Sequence, residues 1–405
     1  MTEVQTRPPH GPRVVRRVLV LVSLIALVDV CFYSAITPLL PSYVDELGLS
    51  KSQAGALLGS YALGTLLASL PAGWLAARRG SRPTLLLGLG LLAASSVVFG
   101  LGSSFEVLAA ARFVQGVSGA ASWAAGLAWL VAISPRERRG QLIGTVLGVG
   151  IAGAIGGPAL GAVAHVLGPA AVFTAVAAIA VGLAAVVLVS PAADDVAPSG
   201  GLLRAVRARW VLAGAWLTIL ASLFFGIFGV LVPLRLDALG TGATGIAAVF
   251  LFTAAAEAVA SPVAGRLSDR RGRLLPVRAG LLGIVGASLV MPLPLSAWLL
   301  GAAAVAAGAV CGLLLAPASV LLSHGAEEAG LAQGLVFGLF NLAWAVGQLT
   351  GSAGGARLAD LSSDTVPYLV AAALAAVTLL GLWRRPGGGG HRTVGGAARG
   401  GPAAG

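Results

Sequence analysis

Apolar residues run along this chain in blocks of about twenty, each closed by a short polar or arginine-bearing stretch, from Arg17 to Trp383. A hydrocarbon core about 30 Å thick takes about 20 residues of helix to cross, so each block has the length of one transmembrane helix. The pattern predicts twelve spans. The first six cover approximately residues 17–40, 52–76, 83–102, 105–130, 140–166 and 169–189. The second six cover 210–234, 245–267, 274–292, 296–322, 329–356 and 366–383.

Two short polar stretches recur at one spacing. GWLAARRGS from Gly73 aligns with GRLSDRRGR from Gly265 when the first half is shifted by 192 positions, and PSYVDELG from Pro41 then falls on PLRLDALG from Pro233. Two separate matches at a single offset imply internal duplication. The expected fold is therefore all-α: a polytopic membrane protein of two six-helix bundles. Its expected parts are a cytoplasmic N-terminal tail (1–16), the first bundle (17–189), a cytoplasmic linker (190–209), the second bundle (210–385) and a disordered cytoplasmic tail (386–405), whose glycine, alanine and arginine cannot bury enough apolar surface to order themselves.

Composition agrees with lipid as the solvent. Of 405 residues 57% are hydrophobic and only 10% charged, with mean hydropathy +0.93. The 58 glycines and 21 prolines are tolerated in membrane helices, where neighbouring helices re-satisfy freed backbone groups and small residues allow close approach. A net charge of +11 raises the question of nucleic acid, but the basic residues sit in short clusters at span ends, which excludes it. Those clusters alternate: Arg78, Arg79 and Arg82 follow the second span, Arg136, Arg138 and Arg139 the fourth, and Arg266, Arg270, Arg271 and Arg273 surround the end of the eighth. Lys- and Arg-rich short loops stay on the cytoplasmic side, so both termini are expected there, with the chain in the cell membrane. Cys31 and Cys311 lie inside apolar runs and form neither a disulfide framework nor a metal-ligand set.

Six plus six spans with GxxxDRxGR after the second span of a half resemble the major facilitator superfamily. The copy at Gly265, Asp269, Arg270, Gly272 and Arg273 is complete; the first copy keeps Gly73, Arg78 and Gly80 but has Ala77 at the acidic position and Ser81 at the last basic one. Arg112, Gln115 and Gly116 in ARFVQG are similar to the family's fourth-span motif. Gly153, Gly157, Pro158 and Gly161 in GAIGGPALG are similar to the fifth-span motif of its proton-coupled exporters, and DVCFYSAITPLLP from Asp29 to the first-span motif of the twelve-span drug:proton antiporters. The resemblance implies efflux by proton exchange.

The chemistry of the single residues is compatible with that. An ionised Asp29 in mid-span costs on the order of 3 kcal/mol, so desolvation favours the protonated acid and makes it a proton carrier, or else it pairs with a neighbour to fix helix packing. Arg112 keeps its proton and acts as the fixed cation near that acid, with Asp29 the proposed partner, or is satisfied by backbone carbonyls. Glu257 in the eighth span is a second proton or cation site, or snorkels to the boundary. Gly153, Gly157 and Gly161 fall on one helix face, as do Gly347, Gly351 and Gly355 in the eleventh span. Asp269 is expected to latch against the N-terminus of the fifth span, and Glu327 and Glu328 to supply the charge that Ala77 lacks.

Asn341 is the chain's only asparagine, so a sugar site is disfavoured. Tyr33, Trp123, Phe225 and Trp344, with Gln115 and Asn341, are the expected substrate-cavity residues, suited to lipophilic neutral or cationic compounds. The expected function is secondary export of such compounds by proton antiport through alternating access, with no cofactor beyond the proton gradient. No enzyme activity is expected. Partners are the small-molecule substrate, protons and the bilayer, with the chain a monomer. The alternatives are an importer or metabolite exporter of the same family, or a non-transporting sensor or assembly partner on this fold.

Overall fold

A helix satisfies its own backbone hydrogen bonds, which a chain of this hydropathy requires in lipid, and every regular element in the computed structural model is helical. Residues 11–135, 138–191, 207–272, 274–293, 296–328 and 333–383 are described. Their order is α1 (Pro12–Ala35), a 3-10 turn (Thr37–Leu39), α2 (Leu40–Leu47), α3 (Lys51–Arg79), α4 (Ser81–Leu101), α5 (Phe105–Ile133), α6 (Arg139–Leu167) and α7 (Pro169–Leu188). Then come α8 (Arg209–Ala238), α9 (Ala243–Arg271), α10 (Leu274–Val290), α11 (Ala297–Glu328), α12 (Gln333–Leu349), a π-helical turn (Thr350–Gly354), α13 (Gly355–Leu361) and α14 (Thr365–Trp383).

Ten runs among the described residues are long and apolar enough to cross a membrane, against twelve predicted. The difference lies at two of the predicted spans. The ninth is α10, an apolar helix of 17 residues, and the eleventh is broken into α12 and α13 by the π turn. The first run also exceeds its expected bounds, extending over 36 residues from Pro12 to Leu47. Pro38 lacks an N–H, and the chain passes through the 3-10 turn there before the helix resumes at Leu40.

Helix ends follow local chemistry. Ser50 and Gln53 form a capping box at the start of α3, each side chain bonding the other's backbone N–H (3.2 and 2.9 Å). Gly48 and Gly240, with φ of 62° and 81°, take positive φ at helix ends, as do Gly80 and Gly272 at 96° and 85°. Both are pairs that the 192-residue offset matches, and glycine alone takes such angles at little cost. Arg235 donates to the carbonyls of Met291 (3.1 Å) and Leu293 (2.5 Å), closing the frayed end of α10.

Glycines bring helices to backbone distance. On α6, side chains at Gly153, Gly157 and Gly161 would strike Leu27, Cys31 and Ala35 backbone on α1; at Gly347 and Gly351 they would strike the Ile219 and Leu223 carbonyls on α8. The sequence halves meet along α3 against α12, the π turn and α13, and along α6 against α9. A Cβ on Gly55 would collide with the Ser352 carbonyl and one on Gly59 would lie 3.1 Å from Ala353. At the tip of that seam Lys51 Nζ meets Asp364 Oδ1 at 2.5 Å, and the Ser52 N–H donates to Asp360 Oδ2 at 2.7 Å. Large apolar side chains cover the outside, with Trp298 90% and Val166 74% exposed, as a lipid-facing surface requires.

Residues 192–206 of the expected linker, the expected 386–405 tail, Arg136, Arg273 and the side chains of Asp269 and Glu327 lie outside what is described. The Asp269 latch and the Glu327 part of its replacement therefore remain expectations.

Candidate functional site

Asp29 is carried on the face of α1 that looks into the bundle, and it is 1% exposed. Trp123 on α5 donates its indole N–H to Oδ2 at 3.1 Å, and the Tyr61 hydroxyl on α3 lies 3.5 Å from the same oxygen. Oδ1 is buried without a hydrogen-bond partner. Gly119, one turn before Trp123, leaves the space: a Cβ there would stand 2.8 Å from the Tyr61 hydroxyl and 3.3 Å from both carboxylate oxygens.

Arg112, three turns back along α5, is also 1% exposed. One terminal nitrogen donates to Gln115 Oε1, and its Nε has no partner. The guanidinium carbon lies 5.3 Å from the Tyr33 ring centre and 5.0 Å from that of Tyr61, within cation–π range of both. Trp344 on α12 meets the two tyrosines edge-on, at 5.6 and 6.2 Å, and the tyrosines are 4.6 Å apart. Among the described residues no ion pair joins Arg112 to Asp29. Tyr61 stands between them, with its hydroxyl toward the acid and its ring beneath the cation.

Two narrow clefts border this cluster. One is lined by Ser69 of α3, Trp123 and Ala124 of α5, and Gly338 and Asn341 of α12, so both halves of the sequence contribute to it. The other is lined by Asp29, Val22 and Ile25 of α1, Trp123 of α5 and Val146 of α6. Trp123 and Leu127 are common to the two. Glu257 on α9 is half-buried beside α11, where a Cβ at Gly312 would touch its backbone carbonyl.

The structure thus brings together Asp29, Arg112, Gln115, Tyr33, Trp123 and Trp344, with Asn341 across the cleft. Phe225 is elsewhere, its ring tilted against that of Phe228 at 5.8 Å in a phenylalanine cluster. The gating-motif residues are distant from the acid, at the arginine-rich ends of α3 and α9. Gly80 and Gly272 make the turns there, Gly73 and Gly265 face open space, and Arg78 lies over the Trp74 ring at 4.6 Å. Glu328 Oε1 lies 3.4 Å from His324 Nδ1 on its own helix, and among the described residues no ion pair joins Glu328 to an arginine.

Sequence reading did not single out Tyr61, which was one aromatic among many, or Ser69. It also missed the Lys51–Asp364 and Ser52–Asp360 contacts. The only hint to those was an isolated lysine in a loop otherwise poor in basic residues.

The family model described as Major Facilitator Superfamily matches residues 22–348. A chloramphenicol resistance protein of Streptomyces lividans is 32% identical over 261 residues, covering 61% of this chain and 66% of that protein. The quinolone resistance protein NorA of Staphylococcus aureus (strain N315) is 33% identical over 127 residues, 31% of this chain and 32% of its own. An uncharacterized MFS-type transporter of Schizosaccharomyces pombe, C18.02, is 35% identical over 143 residues, 34% of this chain. The matched stretch spans about a third (32%) of that last relative's length. Among solved structures, a bacterial homologue of the human lysosomal transporter Spinster, in an inward-facing and unoccupied conformation, superposes with TM-score 0.72 at 16% identity. The match covers 94% of this chain and 100% of that one.

Proposed function

The chain belongs to the major facilitator superfamily, and we propose that this multi-pass membrane transporter exports small lipophilic compounds in exchange for protons. Transport is the family's business, and the chain is not an enzyme. The observation that carries the finer reading is Asp29: a carboxylate buried in a span, with one oxygen held by Trp123 and the other left without a partner, lining a cleft of the first half that shares Trp123 with the cleft between the sequence halves. A buried acid of that kind is costly unless it works. Arg112, spread over two tyrosine rings, places a permanent positive charge in the same cluster.

The resistance proteins among the relatives support export and a drug-like substrate. The matching positive-φ glycines at Gly48 and Gly240, and at Gly80 and Gly272, support twelve spans arranged as two related six-span bundles. In that arrangement α10 is the ninth span and α12, the π turn and α13 together are the eleventh. The arginine clusters support cytoplasmic termini in the cell membrane, so the Lys51–Asp364 tip faces outward. Glu257 and the aromatic walls of Tyr33 and Trp344 suit a cationic or neutral lipophilic cargo. The inward force on one proton is about 2.3 kcal/mol per 100 mV, enough for roughly fiftyfold accumulation of a neutral compound.

The test is transport by purified protein in liposomes carrying an imposed pH gradient, with ethidium and chloramphenicol as cargo. Wild type is expected to move one or both against their gradients, and Asp29→Asn to lose gradient-driven movement. Equal pumping by the variant would sink the reading.

A further inference from the structure

From the position of Trp123 we infer that its indole is the part that couples cargo to the proton. It is a positioning residue acting through Asp29, and the inference rests on the antiport reading above. Trp123 and Leu127 line both clefts, and of the two only Trp123 carries a donor, so its ring borders the space between the sequence halves while its N–H reaches the acid. Gly150 on α6 lets the ring sit there: a Cβ at that position would lie 3.3 Å from the far ring carbon. A cargo molecule stacked on the cleft face presses the indole against α6 and holds its N–H on Oδ2.

An N–H donor bonds a carboxylate more strongly than the neutral acid, because the charge assists the bond. Cargo on Trp123 therefore favours the ionised acid and expels its proton, and a protonated acid in turn loosens the wall on which cargo stacks. Exchange follows from one side chain serving two clefts. The other groups facing Asp29 are Tyr61 from α3 and Arg112 from the same helix as Trp123; α6 offers only Val146. None of these also lines the cleft between the halves.

The experiment measures ethidium binding to the purified full-length protein across a pH series, by dye fluorescence, for wild type, Trp123→Phe and Asp29→Asn. Phenylalanine keeps an aromatic wall and removes the donor. The midpoint of pH-dependent binding is expected to move alkaline by about one pH unit in Trp123→Phe, the size of a hydrogen bond to a charged group. In Asp29→Asn the pH dependence should vanish. If Asp29→Asn loses it while Trp123→Phe keeps the wild-type midpoint, the indole link falls and the proton site stands. If Asp29→Asn keeps the wild-type dependence, the antiport reading falls and takes the link with it. Should Trp123→Phe fail to fold, intrinsic fluorescence decides: its pH-dependent part in wild type is expected to disappear in Asp29→Asn, and its persistence there overturns the inference.

Discussion

Tyr61 touches both buried charges, and that arrangement sets what Arg112 has to be. A planar guanidinium spreads over two rings while forking toward Gln115, whereas an ammonium is a compact point charge. Arg112→Lys is therefore expected to slow pH-gradient-driven ethidium transport by roughly tenfold, about 1.4 kcal/mol in the barrier, even though the charge is kept; initial rates in liposomes measure it. Asp29 and Arg112 were legible in the sequence because each is a lone charge in an apolar span. That Tyr61 would stand between them was not legible, since which rings fill the space between α1, α3 and α5 depends on how the helices cross. Trp123 was readable as an aromatic wall but not as a donor, because its distance to Asp29 is a property of two helices and not of either.

At the level of helices, the two kinds of motif glycine separate by what surrounds them. A side chain at Gly157 or Gly161 would strike α1, so Gly157→Val and Gly161→Val are expected to destabilise the detergent-solubilised protein by about 1–3 kcal/mol. Gly73→Ala and Gly265→Ala meet nothing within 4 Å and are expected to be neutral or stabilising by up to about 1 kcal/mol. Thermal unfolding followed by dye binding distinguishes the four. The glycine spacing on the fifth and eleventh spans was readable from the sequence, since four-residue intervals fall on one face whatever the neighbours are. The π turn at Thr350–Gly354 was not. Its extra residue sits where Gly226 of α8 meets the backbone of Gln348 and Ser352, and where Gly55 of α3 approaches from the other side. That is a three-helix crossing, to which a periodicity count on one helix is blind.

On the scale of the molecule, the seam between the sequence halves is sealed at one tip and opens into the Trp123 cleft farther along α3. The apolar blocks made an all-helical fold of many spans legible; the tip contacts were not, because Lys51 and Asp364 are 313 residues apart. Burial raises the Asp360 carboxyl, but hydrogen bonds from Ser52, together with those of Ser50 and Lys51, outweigh it and hold the group below its ordinary value of 3.8. A depressed acid contributes above its free value and loses its contribution as the pH falls through the depressed one. The tip should therefore hold at neutral pH and loosen below about pH 4. Lys51→Gln combined with Asp360→Asn is expected to open it at neutral pH, read as longer distances between spin labels at Glu46 and Ser363. Lys51 and Asp364 are also 41% and 35% exposed, so dissolved ions compete for them. A pump whose outer door is fastened by such a pair would respond to brine: in molar sodium chloride the same labels should spread apart, and the cell's surroundings would share control of how often the door swings.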